Sequence, residues 1–401
     1  MQAKNNFTYI DLFSGCGGLG LGLHNAGWNG LFAVEKSPDA FLTLEHNLIN
    51  KVQHFSWPDW LPKTALDINH LLDEYSSQLS ALKGTIDLVA GGPPCQGFSS
   101  AGRRNHKDER NTLIDSYIEF IKLVEPKLIF FENVRGFTNA FKGDKTKRVY
   151  SSYIEQELDS LDYDVDAKLL NFSHYGVPQS RTRFILVGVK REENLKKAED
   201  FFKNLESVSD QFLKHRKLPK TPSIKQAISD LLTKNGLVDS PDSRGFKSGT
   251  YGKSESNYQR LMRQKKRKNA LADSHRIPNH TDKVKERFIE AIKDKLGPQE
   301  YRKRFSLKKA GTRLLLENEP TPTLTTLPDD YIHYSEPRIL SVREYARVQS
   351  FPDTYEIKGK YTTGGPFRVK EVPRYSQIGN AIPPLFGEQA GETLKELLDG
   401  V

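Results

Sequence analysis

The chain has 401 residues, of which 28% are charged and 36% hydrophobic, and a formal net charge of +9. That length supports two domains with separate cores, and the basic balance favours a polyanionic partner, nucleic acid first. No apolar run approaches the roughly 20 residues of a membrane span, and the N-terminus lacks a secretory h-region, which predicts a cytoplasmic protein without membrane contact. Two cysteines, Cys16 and Cys95, are too few for a disulfide framework or a zinc site built from cysteine.

From the N-terminus to about residue 190, short apolar strands are predicted at 7–13, 31–35, 86–90, 127–131 and 183–189. They alternate with helical patterns, strongest at 113–124 and weaker at 154–161. This rhythm predicts an α/β fold with a mainly parallel sheet and helices on both faces. Between 191 and about 330 the rhythm is lost and lysine and arginine crowd together, as in Arg260-Leu261-Met262-Arg263-Gln264-Lys265-Lys266-Arg267-Lys268. Ser341-Val342-Arg343-Glu344 has the spacing of a capping box, so a well-capped structural helix is expected there, ending before Pro352. Residues 377–384 read as a loop feeding a last helix over 385–398. The expected divisions are 1–190, 191–340, 341–364 and a C-terminal segment 365–401 returning to the first domain. No period of 20 to 50 residues repeats, which excludes solenoids and propellers.

Asp11-Leu12-Phe13-Ser14-Gly15-Cys16-Gly17-Gly18-Leu19-Gly20 follows the first strand and opens a helix. Glycines at such a turn let the backbone approach a bound cofactor closely, and Glu35, at the end of the next strand, is placed to hold ribose hydroxyls. The pattern suits a dinucleotide as well as S-adenosylmethionine. Gly91-Gly92-Pro93-Pro94-Cys95-Gln96-Gly97 ends another strand and presents a thiol where an α/β enzyme places a nucleophile. Glu132-Asn133-Val134 ends a third strand, and Gln179-Ser180-Arg181-Thr182-Arg183 begins another. In an open parallel sheet, strand ends of this kind line the ligand crevice. A thiol, a carboxylic acid and arginines are therefore expected above one edge.

These blocks, with Arg343-Glu344, Gln349-Ser350-Phe351-Pro352 and Gly379-Asn380-Ala381, stand in the linear order of the cytosine carbon-5 DNA methyltransferases, which the chain resembles over about 7–190 and 338–398. The resemblance implies a Rossmann-like S-adenosylmethionine-dependent methyltransferase domain at 1–190. It implies a smaller, irregular target-recognition region at 191–340, with 341–364 as small domain and hinge.

By that resemblance Cys95 adds to carbon-6 of cytosine, Glu132 holds the ring at nitrogen-3 and its amine, and Arg181 and Arg183 grip the base oxygen or a phosphate. The target base is flipped out of the duplex, and the segment 99–110 closes over it. The cofactor's methionine part falls to Phe13, Ser14, Gly15, Cys16, Gly17, Gly18 and Leu19 with Asn380 and Ala381. Glu35 takes the ribose, and Asp67, Ile68 and Pro93 take the adenine beside Lys36, which stands where some relatives carry an aromatic. No metal is expected: His275 and His280 have no cysteine or acidic cluster beside them.

Double-stranded DNA is the expected partner, and the modification enzyme of a restriction-modification system the expected role. The nuclease would be encoded separately and the enzyme monomeric. The basic stretch 253–309, with Tyr251, Tyr258 and Tyr301 interspersed, is expected to contact phosphates, and 275–281 and 322–326 to form ordered loops there. Two rival activities remain at this level. A nicotinamide oxidoreductase would use the glycine loop and Glu35 but not Pro-Pro-Cys-Gln. An RNA cytosine-5 methyltransferase typically carries a further Cys-Phe-Thr element, and the chain has no third cysteine.

Overall fold

The computed structural model describes residues 7–94, 113–139, 149–192, 194–264, 270–309, 311–363 and 371–398; Cys95 and the segment 99–110 lie outside the described residues. Internal contacts divide the chain into two compact units. One comprises Met1–Asn171, Thr182–Phe212 and Phe386–Val401, the other Phe172–Arg181 and Leu213–Leu385.

The strands of the first half are β1 (Thr8–Leu12), β2 (Asn29–Val34), β3 (Leu88–Gly91), β4 (Leu128–Val134), β5 (Tyr163–Asn171), the two-residue β6 (Gln179–Ser180) and β7 (Thr182–Lys190). The first unit's sheet has the order β2-β1-β3-β4-β7-β5. The first four strands are parallel, while β7 runs antiparallel to β4 and β5 antiparallel to β7. Every residue of β3 is buried, as are the first four of β4, so these central strands are covered on both faces, which is why they read as continuous apolar runs. The sequence reading missed β5. It lies at the sheet edge, mostly half-buried, and its alternating Asp and Lys residues carry no apolar run.

Helix Leu113–Val124 lies where the spacing predicted it. The final helix, Pro384–Leu398, belongs to the first unit from Phe386 onward. There Trp28 Nε1 donates to the Gly391 carbonyl (2.9 Å) and Lys395 Nζ to that of Ala26 (2.7 Å). Residues 374–380 correct the expected loop: Arg374–Asn380 is a helix, and only the residues after it form the connection.

The second unit is not irregular throughout. β8 (Leu237–Asp239), β9 (Lys247–Thr250) and β10 (Leu271–Arg276) form an antiparallel sheet. β11 (Arg313–Leu314) pairs with β13 (Tyr331–Ile332), and β12 (Thr321–Pro322) pairs with β6. Its core is rich in charge. Ser341 caps helix Val342–Val348 with the reciprocal Glu344 bond the sequence predicted, and Arg343, Glu344 and Arg347 are fully buried. Arg338 forks onto both Glu344 oxygens at 2.7 Å. Arg347 binds Asp353 (2.6 and 2.7 Å) and Asp230 (3.2 and 3.3 Å).

Three expected nucleic-acid contacts are corrected here. Tyr251 and Tyr258 are buried, donating to Asp353 Oδ2 and the Arg347 carbonyl. Tyr301 belongs to an apolar cluster with Phe288, Leu296 and Ile332. His275, expected in a recognition loop, lies buried in β10 with its ring nitrogens against Ser341 Oγ and the Leu231 carbonyl, each at 2.8 Å. Hydroxyl and imidazole groups that can complete a buried network are drawn into it, because leaving its charges short of partners costs more than solvating a ring.

Burial raises the Glu344 carboxyl, but Arg338 outweighs it and holds the group down at about 2, against 4.5 for an ordinary glutamate. A depressed folded-state value gives stability that is complete above about 4.5 and lost as the pH falls through about 2, worth roughly 3 kcal/mol. Glu344→Gln is therefore expected to be less stable than the parent near neutral pH, because buried Arg338 loses one of its two carboxylate partners and keeps only Glu336. The two urea midpoints should converge as the pH is lowered from 4.5 toward 2. A stability difference that stays constant over that window would contradict this account.

Candidate active site

The carboxyl ends of β1, β2, β3 and β4 form one edge, and the strand order turns back between β1 and β3, the usual position of a ligand crevice. After β1 the chain turns sharply: Phe13 takes a left-handed φ of 56°, and Gly17, at φ 85°, caps helix Gly18–Asn25. The turn is tied to β2, with Ser14 N–H donating to the Val34 carbonyl (3.0 Å) and Gly15 N–H to Glu35 Oε2 (2.9 Å). Glu35 Oε1 accepts from Ser37 N–H at 2.7 Å. Burial raises the Glu35 carboxyl, and these backbone bonds pull the other way.

Beside it, Leu66 N–H donates to the Glu35 carbonyl (2.8 Å), which brings Asp67 alongside. Asp67 caps helix Ile68–Glu74 and pairs with Lys36 Nζ at 2.7 Å. Burial pushes its carboxyl up, but the Lys36 bond leads the opposing effects and leaves it below the usual value. Lys36 is largely exposed; Leu19 and Ile68 turn their side chains into the core.

Two observations fit this turn to a ligand carrying an amine and a ribose. Asp11 is buried at the end of β1, and neither carboxylate oxygen has a hydrogen-bond partner among the described residues. Burial, with Glu35 adding to it, pushes that carboxyl well above its usual range. A buried carboxyl in that state is one a positively charged ligand group would satisfy. The second observation is Glu35, held by two backbone N–H groups and only partly exposed.

The second half of the edge carries an acid and an arginine. Antiparallel pairing sets Arg183 opposite Val134 and Ile185 opposite Glu132. Residues two apart on a strand share a face, so Arg183 and Glu132 are diagonal neighbours on one side of the sheet. Arg183 Nε lies 2.9 Å from Glu132 Oε1, an ion pair with both side chains mostly shielded from solvent. Burial lowers the Arg183 guanidinium, and Glu132 counters it. Arg181 belongs to the second unit, where it is buried and its Nη1 donates to the Leu324 carbonyl at 3.4 Å. Asn380 and Ala381 also belong to that unit, at the end of helix Arg374–Asn380.

Asn133, to which the sequence reading gave no role, is buried, and its Nδ2 donates to the Pro93 carbonyl at 3.3 Å. It thereby ties the end of β4 to the segment two residues before Cys95. Asp11 was also overlooked; its signal was a carboxylate one residue before the end of an otherwise apolar strand. Of the two thiols, burial, with Glu35 adding to it, pushes Cys16 up to about 12, which leaves it protonated and unreactive near neutral pH.

The chain matches the family model described as C-5 cytosine-specific DNA methylase over residues 7–396. It is 29% identical to the type II methyltransferase M.DdeI of Desulfomicrobium norvegicum, over 98% of this chain and 89% of that protein. It is also 29% identical to M.AgeI of Thalassovita gelatinovora, over 96% and 98%. A crystal structure of a prophage-encoded E. coli protein assigned as a DNA modification methyltransferase superposes with a TM-score of 0.67 at 26% identity, over 98% of this chain and 100% of that one. S. pombe Dnmt2 shares the fold, with a TM-score of 0.55 at 14% identity, covering 98% and 99%.

The fold is that of an α/β methyltransferase. The chain belongs to the C-5 cytosine-specific DNA methylase family, whose general reaction takes a methyl group from S-adenosylmethionine to cytosine in DNA.

If the Asn133 bond holds the Cys95 segment in register with Glu132, Asn133→Ala should lower kcat about tenfold while KM for S-adenosylmethionine stays within about threefold. Steady-state transfer of a labelled methyl group to DNA measures both, and an unchanged kcat would remove this role from Asn133.

Proposed function

We propose that the chain methylates carbon-5 of one cytosine in a short double-stranded DNA sequence through a covalent bond to Cys95. The observation that carries the reading is the Glu132–Arg183 pair on the same sheet edge as the Gly15–Glu35 turn. Asn133 links the Glu132 strand to the segment that leads into Cys95.

S-adenosylmethionine supplies an electrophilic methyl on its sulfonium. Phe13, Ser14, Gly15, Cys16, Gly17, Gly18 and Leu19 take its methionine part through the backbone, together with Asn380 and Ala381. Asp11 faces its amine, Glu35 holds the ribose hydroxyls, and Asp67, Ile68, Pro93 and the stem of Lys36 border the adenine. The Cys95 thiolate adds to carbon-6 of the flipped cytosine, turning the ring into an enamine whose carbon-5 is nucleophilic. Glu132 holds nitrogen-3 and the exocyclic amine as charge develops there. Arg183 keeps Glu132 in place, and Arg181 and Arg183 offer cationic donors to the base oxygen or the neighbouring phosphate. Carbon-5 bonds the methyl as the methyl–sulfur bond breaks, leaving S-adenosylhomocysteine; loss of the carbon-5 proton to a base then breaks the Cys95–carbon-6 bond and restores the ring double bond.

The sequence-reading division 191–340 carries DNA recognition in this proposal. The buried tyrosines leave that work to cations such as Lys283, Lys285, Lys293 and Lys303, all exposed, which fix register on phosphates while other side chains read base edges. The relatives named as type II methyltransferases support a role as a modification enzyme with a separately encoded endonuclease. The proposed enzyme is monomeric and cytoplasmic, with 341–364 as hinge and 365–401 returning to the catalytic domain.

Expression of the chain with a plasmid, followed by base-resolution bisulfite sequencing, is expected to show 5-methylcytosine at one short motif. Cys95→Ala should show none, and Glu132→Gln should slow methylation by about 10²-fold or more. Absence of methylation by the intact, folded protein, or full activity in Cys95→Ala, would overturn the reading.

A further inference from the structure

Four segments that carry the sequence motifs converge in the second unit on two fully buried amides, those of Gln179 and Gln349. Gln179 Nε2 donates to Gln349 Oε1 at 2.7 Å, and Gln179 Oε1 accepts from Leu324 N–H at 2.7 Å. Gln349 Nε2 donates to the Ile378 carbonyl (2.8 Å) and to the Ala381 carbonyl (3.1 Å). Gln349 thus spends both amide hydrogens on the chain that carries Asn380 and Ala381. Its oxygen is committed to β6.

At the far end of this bridge, β6 pairs with β12, Thr323 Oγ1 donates to the Ser180 carbonyl (2.8 Å), and Arg181 Nη1 reaches the Leu324 carbonyl. The two ends also meet directly. A Cβ added at Gly379 would stand 2.5 Å from the Thr325 carbonyl oxygen, so the helix end and the 322–326 loop have no slack between them.

We propose that Gln179 and Gln349 are positioning residues that couple the cofactor side of the site to its DNA side. The inference rests on the reading above, in which Asn380 and Ala381 meet the cofactor and Arg181 meets the substrate. One bridge sets the height of the Ala381 peptide and of the Leu324 peptide together. A ligand that settles either end therefore favours the geometry the other ligand needs. The direction of the bridge follows from its ends: Leu324 offers a donor, Ile378 and Ala381 offer acceptors, and only Gln179 donating to Gln349 satisfies all of them.

The test measures binding of S-adenosylhomocysteine to the full chain by calorimetry, with and without a saturating duplex that carries the motif found by bisulfite mapping. In the parent protein each ligand should tighten the other about tenfold, by the same factor in both directions. Gln179→Leu keeps the two bonds from Gln349 to the Ala381 chain. It should leave S-adenosylhomocysteine affinity without DNA within about threefold while the coupling factor falls to about one. Gln349→Leu removes those bonds as well and should weaken S-adenosylhomocysteine about tenfold or more, again with coupling lost.

A merely structural role would lower the folded fraction and leave the coupling factor of the folded protein as in the parent; that result overturns the proposal. Should the variants not fold, hydrogen exchange on the parent decides. S-adenosylhomocysteine alone should slow exchange of the Leu324 amide, and no change there overturns the coupling. A parent that binds neither ligand would remove the functional reading and the proposal with it. A parent that binds both, with variants coupled as the parent is, removes the proposal alone.

Discussion

At Gly91 and Gly92 an added Cβ would stand 1.9 Å from the carbonyl oxygens of Leu12 and of Glu132 respectively. Three backbones therefore run together at the carboxyl edge of the sheet with no room for a side chain between them. The arrangement of the site follows from that closeness. β3 delivers the Pro93-Pro94 segment between the glycine turn after β1 and Glu132 on β4, and Asn133 can reach the Pro93 carbonyl. The two prolines then stiffen the chain where it leaves the sheet.

The two units treat buried charge in opposite ways. In the second, Arg338, Arg343 and Arg347 are buried, and each finds carboxylate or carbonyl partners. Such a network holds one geometry because any displacement strands a charge. In the first unit, Asp11 is left without a partner among the described residues, while Arg183 has the Glu132 carboxylate and the Thr182 carbonyl. Natural sequences relax local satisfaction where a ligand completes the set.

Burial also overrides what a residue's type suggests. Cys16 follows β1 in a glycine-rich turn, where burial beside Glu35 keeps its thiol protonated. The tyrosines of the basic region read as contacts for a polyanion, and the fold spends them on its interior. Lysines such as Lys283, Lys285, Lys293 and Lys303, whose charge is costly to bury without a partner, stay exposed, so the surface cations of this region are side chains that the interior excludes.

The sequence by itself determined what short-range chemistry can enforce. The buried strands announced themselves as apolar runs, the Ser341–Glu344 cap by its spacing, and Glu132 and Arg183 by standing at strand ends, each in a setting that local rules explain. The tertiary structure decided the rest. β5 is a strand because β7 offers it a partner across nine paired residues, not because of its own pattern. Helix Arg374–Asn380 forms where its glycine can lie against the Thr325 backbone. The Gln179–Gln349 amide pair spans 170 positions, beyond any local signal. Glu132 and Arg183 share a face through antiparallel register. Side-chain type and spacing fix local geometry, whereas the partner of a buried polar group is set by which distant backbone the fold brings within hydrogen-bonding reach.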